Sequence, residues 1–241
     1  MRLAIVSDIH GNLAALRAVV ADFTRRGVDG VVNLGDSLSG PLLPLETAHY
    51  LMARDWTHLA GNHERQILQL NADSGESDRY AAAQLTRREL DWIAGLRPAL
   101  AYAADIFLCH ASPASDMLGL LQNADRAAPA GDIELRLDGI DAALVCCGHT
   151  HVARSVRSRR GQLIVNPGSV GQPGYHDTHP YPHVIESGSP DARYAIVERR
   201  AGVWQSALHA VPYEHAAMAA LARARGRDDW AMVLGTGYLT P

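Results

Sequence analysis

The stretch AIVSDIHGN, residues 4–12, decides the fold class, because a short apolar run ends in acidic and imidazole side chains and then leads into a helix. The apolar run is typical of a buried strand, and helical periodicity follows over residues 13–26. A second strand (GVVNLG, 30–35), a helix from about Leu45 and a third strand (WTHLA, 56–60) continue the pattern. This alternation predicts an α/β fold with parallel strands, in which ligands bind beyond the carboxyl ends of the strands.

The second half of the chain contains more predicted strands than helices. After helices over about 63–70 and 78–96, six strand-like segments follow, at residues 105–110, 142–148, 152–158, 162–168, 192–198 and 202–211. They predict a second, more antiparallel sheet that faces the first. A helix over about 214–225 is expected to cover one face, and residues 171–190 are expected to form the one extended loop. Without an internal repeat or a long linker, residues 1–241 are predicted to form a single domain.

Composition excludes several classes of function. The formal net charge of −4 gives no general attraction to nucleic acid or to an anionic membrane, and neither is an expected partner. All 22 basic residues are arginine, so a Schiff-base lysine and a P-loop lysine are both excluded. Cys109, Cys146 and Cys147 lie in apolar runs and are expected in the core rather than in disulfides. No apolar run is long enough for a signal peptide or a membrane span, so the predicted location is cytoplasmic.

Polar side chains that can bind metals follow five of the predicted strands. Each motif alone is typical of a turn or of a hydrogen-bonded histidine, but five together at strand ends predict a metal site. Two pairs are separated by one residue, a spacing that in extended backbone directs both side chains to the same side. The residues are Asp8, His10, Asp36, Asn62, His63, His110, His149 and His151.

Five motifs, in this order, resemble those of the calcineurin-like metallophosphoesterases: DIHGN (8–12), GDSLSGP (35–41), GNHE (61–64), CHASP (109–113) and GHTH (148–151). NPGSVGQP (166–173) resembles a further block of the small bacterial phosphodiesterase branch. The resemblance implies a four-layer α/β/β/α sandwich of two mixed sheets flanked by helices. It also implies two divalent transition-metal ions (Mn, Fe or Zn), one bound by Asp8, His10, Asp36 and His151 and the other by Asp36, Asn62, His110 and His149.

The implied activity is hydrolysis of small phosphodiesters or phosphomonoesters by a hydroxide that bridges the two metal ions. Asp36 would bridge the ions, and His63 would act as the general acid. Asn12, Arg65 and His176 are candidate substrate contacts, although Asn12 also fits a turn and His176 a solvated loop. In the protein phosphatase branch an acid and an arginine stand where this chain has Ser39 and Gly40, so that arginine clamp is absent here.

Two alternatives stay open at this point. The substrate could be a dinucleoside polyphosphate or a cyclic nucleotide, although the sequence contains no aromatic-rich platform for a base. The chain could also be a non-catalytic interaction protein on the same fold, as in the small retromer subunit, which would predict degraded ligand positions. Every ligand position of the motifs is occupied by a residue that can bind metal.

Overall fold

The computed structural model describes residues 1–240, which form fourteen strands and eight helices. The strands are β1 (Arg2–Val6), β2 (Gly30–Asn33), β3 (Thr57–His58), β4 (Ala99–Ala103), β5 (Ile106–Cys109), β6 (Gln122–Asn123), β7 (Arg126–Ala127), β8 (Leu144–Cys146), β9 (Arg154–Arg157), β10 (Leu163–Asn166), β11 (Gly174–Asp177), β12 (His183–Glu186), β13 (Ala192–Arg200) and β14 (Val203–Val211). The helices are α1 (Leu13–Arg26), α2 (Pro44–Met52), α3 (Asn62–Leu68), α4 (Glu76–Gln84), α5 (Arg87–Ala94), α6 (Ala130–Arg136), α7 (His215–Ala224) and α8 (Asp228–Thr236). Within this described part, no helix combines the length and the hydrophobicity needed to cross a bilayer.

Two five-stranded mixed sheets form the centre of the fold. The first has the order β14-β13-β1-β2-β3, with β1, β2 and β3 parallel and β13 antiparallel to β1. The second has the order β4-β5-β8-β10-β9, with β5, β8 and β10 parallel. The carboxyl ends of the parallel strands carry the polar residues that the sequence singled out.

The hydrophobic core is divided into layers by these sheets. Side chains such as Ile5 and Leu108 are buried between the two sheets. On the outer face of the first sheet Val6 packs with Leu16 of α1, and on the outer face of the second sheet Val145 packs in one cluster with residues of α6. The resulting four layers confirm the predicted α/β/β/α sandwich.

The structure corrects the predicted membership of the sheets. Segments 192–198 and 202–211 were expected in the second sheet, but β13 and β14 belong to the first. In β13, Tyr194 faces the α1 side while Ala195 faces the core between the sheets. Alternation of apolar residues identifies a strand that is buried on both faces, but it does not show which neighbour the strand pairs with.

Several further elements differ from the sequence prediction. The helix expected over 78–96 is two helices, because Thr86 caps α5 and forms a capping box with Glu89. The stretch 171–190, expected as a loop, contains the antiparallel hairpin β11–β12. Helices α6 and α8 were not predicted from the sequence.

Candidate metal centre

The candidate ligands converge at the carboxyl ends of β1, β2, β5 and β8 and at the start of α3. They form two groups, Asp8 with His10 and His151, and Asp36 with His110 and His149, and the ligand atoms of each group lie within 4.8 Å of one another. Asn62 adjoins the second group, since its Oδ1 is 2.9 Å from Nδ1 of His149. All seven side chains that the resemblance names as metal ligands therefore lie together, from five separate parts of the chain.

The backbone of these loops corrects one step of the sequence argument. The pairs Asp8/His10 and His149/His151 were placed in extended backbone, but φ is 56°, 52°, 68° and 57° at these four residues. Asp36 also has a positive φ, 54°. A non-glycine residue in the left-handed region costs about 1–2 kcal/mol, and such strain is typical of functional sites. Tight left-handed turns, rather than a continued strand, direct these side chains into the centre.

In the first group, lone pairs of neutral imidazoles face each other. Nδ1 of His10 donates to the carbonyl of Ser39 (2.9 Å), and Nδ1 of His151 donates to the carbonyl of Gln172 (2.8 Å). In the neutral rings Nε2 then carries the lone pair, and the two Nε2 atoms are 3.1 Å apart. Oδ1 of Asp8 is buried without a hydrogen-bond partner, 3.6 Å from Nε2 of His151. Three acceptors thus surround one point, and a cation there would satisfy all of them.

The second group combines oxygen and nitrogen atoms. Nδ1 of His110 donates to a backbone carbonyl, while its Nε2 lies 3.1 Å from Oδ1 of Asn62 and 3.2 Å from Oδ2 of Asp36. The amide nitrogen of Asn62 donates to Gln66 (3.2 Å), so the amide oxygen faces His110 and His149. The carboxylate, the amide oxygen and the imidazole nitrogens again form a donor set suited to a metal ion.

The pKa values of these groups follow from burial and from the two carboxylates. Burial lowers the pKa of His10 and of His149 to about 4, so both rings are neutral and able to bind metal. Burial also raises the pKa of Asp8 to about 7. For His110, burial lowers the pKa, but the negative charge of Asp36 outweighs it and raises the pKa to about 10. The buried negative charge thus requires a counter-charge, which a proton or a bound cation can supply.

His63 lies at the edge of both groups, and a second carboxylate orients it. Its backbone N–H donates to Oδ1 of Asp36 (2.9 Å), and its Nδ1 donates to Oδ1 of Asp78 (2.7 Å). Burial lowers the pKa of His63, but Asp36 and Asp78 together outweigh burial and raise it to about 9. Asp78 lies in the first turn of α4 and was not identified from the sequence, where nothing relates it to the GNHE motif.

Glu64 is a positioning residue that the sequence analysis also left without a role. Its carboxylate is fully buried and accepts three backbone N–H groups, from Asp36 (2.8 Å), Ser37 (2.8 Å) and Gly61 (2.7 Å). It therefore ties the loop after β2 to the loop before α3. Its position as the last residue of the GNHE motif was the feature of the sequence that could have identified it.

The three candidate substrate contacts have different surroundings. Asn12 is fully buried, and its side chain caps α1 and donates to the carbonyl of Gly171 (3.0 Å), which is the turn role considered above. Both guanidinium contacts of Arg65 go to Asp116, at 2.7 and 3.1 Å. Of the three, only His176 lines the cavity over the metal centre.

This cavity has a volume of about 440 Å³ and opens over both groups of ligands. His63 and Asp78 lie in its wall, together with Tyr175 and His176 of β11. The opposite wall comes from the C-terminal region, including Trp230 of α8, whose ring centroid is 6.0 Å from that of His10. Helix α8 and strand β11 therefore line the cavity above the candidate ligands.

Comparison with known proteins gives matches over most of the chain. The model of the calcineurin-like phosphoesterase superfamily domain matches residues 1–186. Protein MJ0912 of Methanocaldococcus jannaschii is 25% identical over an alignment of 198 residues, and the match covers 71% of this chain and 76% of that protein. The crystal structure of a metallophosphoesterase from Sphaerobacter thermophilus has a TM-score of 0.80 and 27% identity and covers 99% of each chain. Protein PH1004 of Pyrococcus horikoshii OT3 shares the fold, with a TM-score of 0.76 and 16% identity over 98% of each chain.

Proposed function

Because this chain belongs to the calcineurin-like phosphoesterase superfamily, we propose that it hydrolyses small phosphodiesters or phosphomonoesters at the metal centre. The main support is the group of buried acceptors that face one another without a proton, above all the two Nε2 atoms of His10 and His151, 3.1 Å apart. Such an arrangement is unfavourable unless a cation lies between the acceptors. It is the arrangement that a metal-dependent hydrolase requires.

Two divalent transition-metal ions would occupy the centre. Imidazole nitrogen among the donors favours Mn, Fe or Zn over Mg. When bound, the ions supply a nucleophilic water at neutral pH and stabilise the charge that develops on the phosphate oxygens. Asp36 would contribute one carboxylate oxygen to each ion, and the remaining ligands are Asp8, His10 and His151 on one side and Asn62, His110 and His149 on the other.

His63 would hold the proton that the leaving oxygen needs. Its ring lines the cavity, and the contact of Nδ1 with Asp78 leaves Nε2 to face the substrate. The two neighbouring carboxylates favour the protonated ring, which is the form a general acid requires. Asp78 would position the ring rather than contact the substrate.

The proposal is tested by adding Mn, Fe, Zn or Mg separately to protein freed of metal. Each form is assayed with bis(p-nitrophenyl) phosphate, p-nitrophenyl phosphate, a cyclic nucleotide and a dinucleoside polyphosphate. We expect hydrolysis that depends on a transition metal and is absent with DNA as substrate. The absence of metal-dependent hydrolysis of every ester would contradict the proposal and favour a non-catalytic interaction protein.

A matched pair of variants separates the metal centre from general effects on folding. Asp36→Asn should lose bound metal and activity, because an amide offers one acceptor oxygen where the carboxylate offers two. Asp138 is the control, since it has a similar φ of 48° but is exposed and lies outside the cavity. If Asp36→Asn binds as much metal and is as active as Asp138→Asn, Asp36 does not bridge the ions.

A further inference from the structure

A second cavity of about 250 Å³ lies directly beside the metal centre. It shares the lining residue His151 with the larger cavity, so the two cavities adjoin at that side chain. Its other walls are the residues after His151, the end of β12 and the start of β13. They are Val152, Ala153, Ile185, Glu186, Ser187 and Arg193.

The guanidinium group of Arg193 has one distant acceptor in this cavity and no carboxylate partner. Within residues 1–240, its only side-chain hydrogen bond is a long one, 3.3 Å, to the carbonyl of Ser187. Its Nε is buried without a partner, and no carboxylate of the described chain lies within 4.0 Å of the group. A partly buried cation without acceptors is unfavourable, and a guanidinium group offers five donors in a fork that matches an oxyanion.

Arg193 is also held firmly in place. A Cβ at Gly168 would be 3.1 Å from Cβ and 3.2 Å from Cδ of Arg193, so the loop after β10 packs tightly against the stem of the arginine. The backbone N–H of Arg193 donates to the carbonyl of Ser169 (3.0 Å). A fixed stem lowers the entropy lost when the guanidinium group binds a ligand.

The charges around the two cavities differ. The outer wall of the larger cavity carries the carboxylates of Asp177 and Asp229, and its arginine, Arg227, is already paired with Asp229 at 2.7 Å. In the second cavity the carboxylate of Glu186 accepts the backbone N–H of Leu239 (2.7 Å). Of the two arginines that line the cavities, only Arg193 has no paired carboxylate, and it would attract a second negative group of a substrate.

We propose that the Arg193 cavity binds a second phosphoryl group of the substrate, so that the preferred ester carries one phosphate at the metal centre and another beside His151. This inference rests on the proposed function, because the first phosphate is the one that is hydrolysed. The second phosphate stays intact and serves only for recognition. The site thus selects substrates with two phosphates over those with a single phosphodiester.

The test compares two esters that differ only in the second phosphate, thymidine 5′-(p-nitrophenyl phosphate) with and without a 3′-phosphate. For the metal-loaded wild-type protein, we expect a lower KM for the 3′-phosphorylated ester. Arg193→Met should raise that KM on the order of tenfold, as expected for a lost hydrogen bond to a charged group, and leave the KM of the other ester nearly unchanged. Arg193→Lys, which keeps the charge, should restore part of the preference.

Arg200→Met is the matched control, since Arg200 lies on the same strand but is exposed and paired with Glu198 (2.8 Å). It should leave both KM values unchanged. A rise of both KM values in Arg193→Met, or of neither, would overturn the inference and leave Arg193 a structural role between β12 and β13. If the wild type hydrolyses neither ester with any metal, the proposed function itself fails.

Binding of inorganic phosphate tests the cavity without turnover. Isothermal titration calorimetry of the metal-loaded wild type should show one more bound phosphate per chain than Arg193→Met. Equal stoichiometry in the two proteins would contradict the inference even if catalysis is observed. Equal unfolding midpoints of the variants, measured by thermal denaturation, would show that the difference does not arise from folding.

Discussion

The substitution Gly61→Ala tests whether catalysis depends on the close packing of Gly61 against Asp36 and His110. A Cβ at this position would lie 2.1 Å from Oδ1 of Asp36 and 2.7 Å from Cε1 of His110. Ordinary carbon–oxygen contacts are longer by about 1 Å, so Gly61→Ala must displace the Asp36 carboxylate by roughly that distance. The backbone cannot move away easily, because the N–H of Gly61 is bonded to the buried Glu64.

A displacement of about 1 Å at a reacting centre costs on the order of 10² in rate. We therefore expect kcat/KM of Gly61→Ala for bis(p-nitrophenyl) phosphate to fall about 100-fold, with a stability loss of about 1–3 kcal/mol from overpacking. Hydrolysis is followed at saturating Mn, metal content by elemental analysis, and stability by urea denaturation.

Gly131→Ala is the matched control for this substitution. A Cβ at Gly131, in the first turn of α6, has nothing within 4 Å, so activity should be unchanged and stability should rise by about 0.4–1 kcal/mol. If Gly61→Ala keeps two metal ions and activity within about threefold of the wild type, the packing of Asp36 against Gly61 does not control catalysis.

Three further predictions concern single side chains. His63→Ala should keep its metal content, measured by elemental analysis, while kcat falls by about 10²–10⁴; loss of metal instead would make His63 a ligand. Asp78→Asn should lower kcat by about tenfold to 10² with KM unchanged in steady-state assays, because the imidazole of His63 loses its orienting partner. Asp22→Asn tests pH-dependent stability: burial raises the pKa of Asp22, but hydrogen bonds from Arg26 and Tyr194 outweigh burial and hold it below 3.8. The ionised Asp22 carboxylate therefore contributes fully to the free energy of unfolding above pH 3.8. This contribution disappears as the pH falls through the lower pKa of Asp22 in the folded state. In urea denaturation, Asp22→Asn should lower the free energy of unfolding by about 1–3 kcal/mol at neutral pH and leave it unchanged in strong acid. An equal decrease at both pH values would contradict a role for the ionised carboxylate.

The candidate ligands could be found from the sequence because each follows an apolar run directly. Asp8 and Asp36 come after β1 and β2, and parallel strands bring their carboxyl ends to one edge. The local geometry of the pairs Asp8/His10 and His149/His151 was predicted wrongly, since their backbone is left-handed rather than extended. Periodicity along a strand carries no information about the turn that ends it.

Other features could not be predicted from the sequence. Asp78 lies 15 positions after His63, with no motif around it, and only the packing of α4 against α3 brings the two together. The wall formed by α8 was missed because that segment was not assigned, whereas His176 of β11 was named as a substrate contact although its segment was expected as a loop. These contacts depend on tertiary packing, and local pattern does not encode them.

The sequence by itself determined the alternation of strands and helices and the chemistry of the residues at the strand ends, because both depend on neighbours within a few positions. Only the tertiary structure decided which lone pairs face each other, as with the Nε2 atoms of His10 and His151, which are 141 positions apart. It also decided that Arg193 lines a cavity with its Nε buried and without a hydrogen-bond partner. The physical reason is that strand order and loop packing set distances between remote residues, whereas hydrophobic periodicity reports only which side of an element is buried.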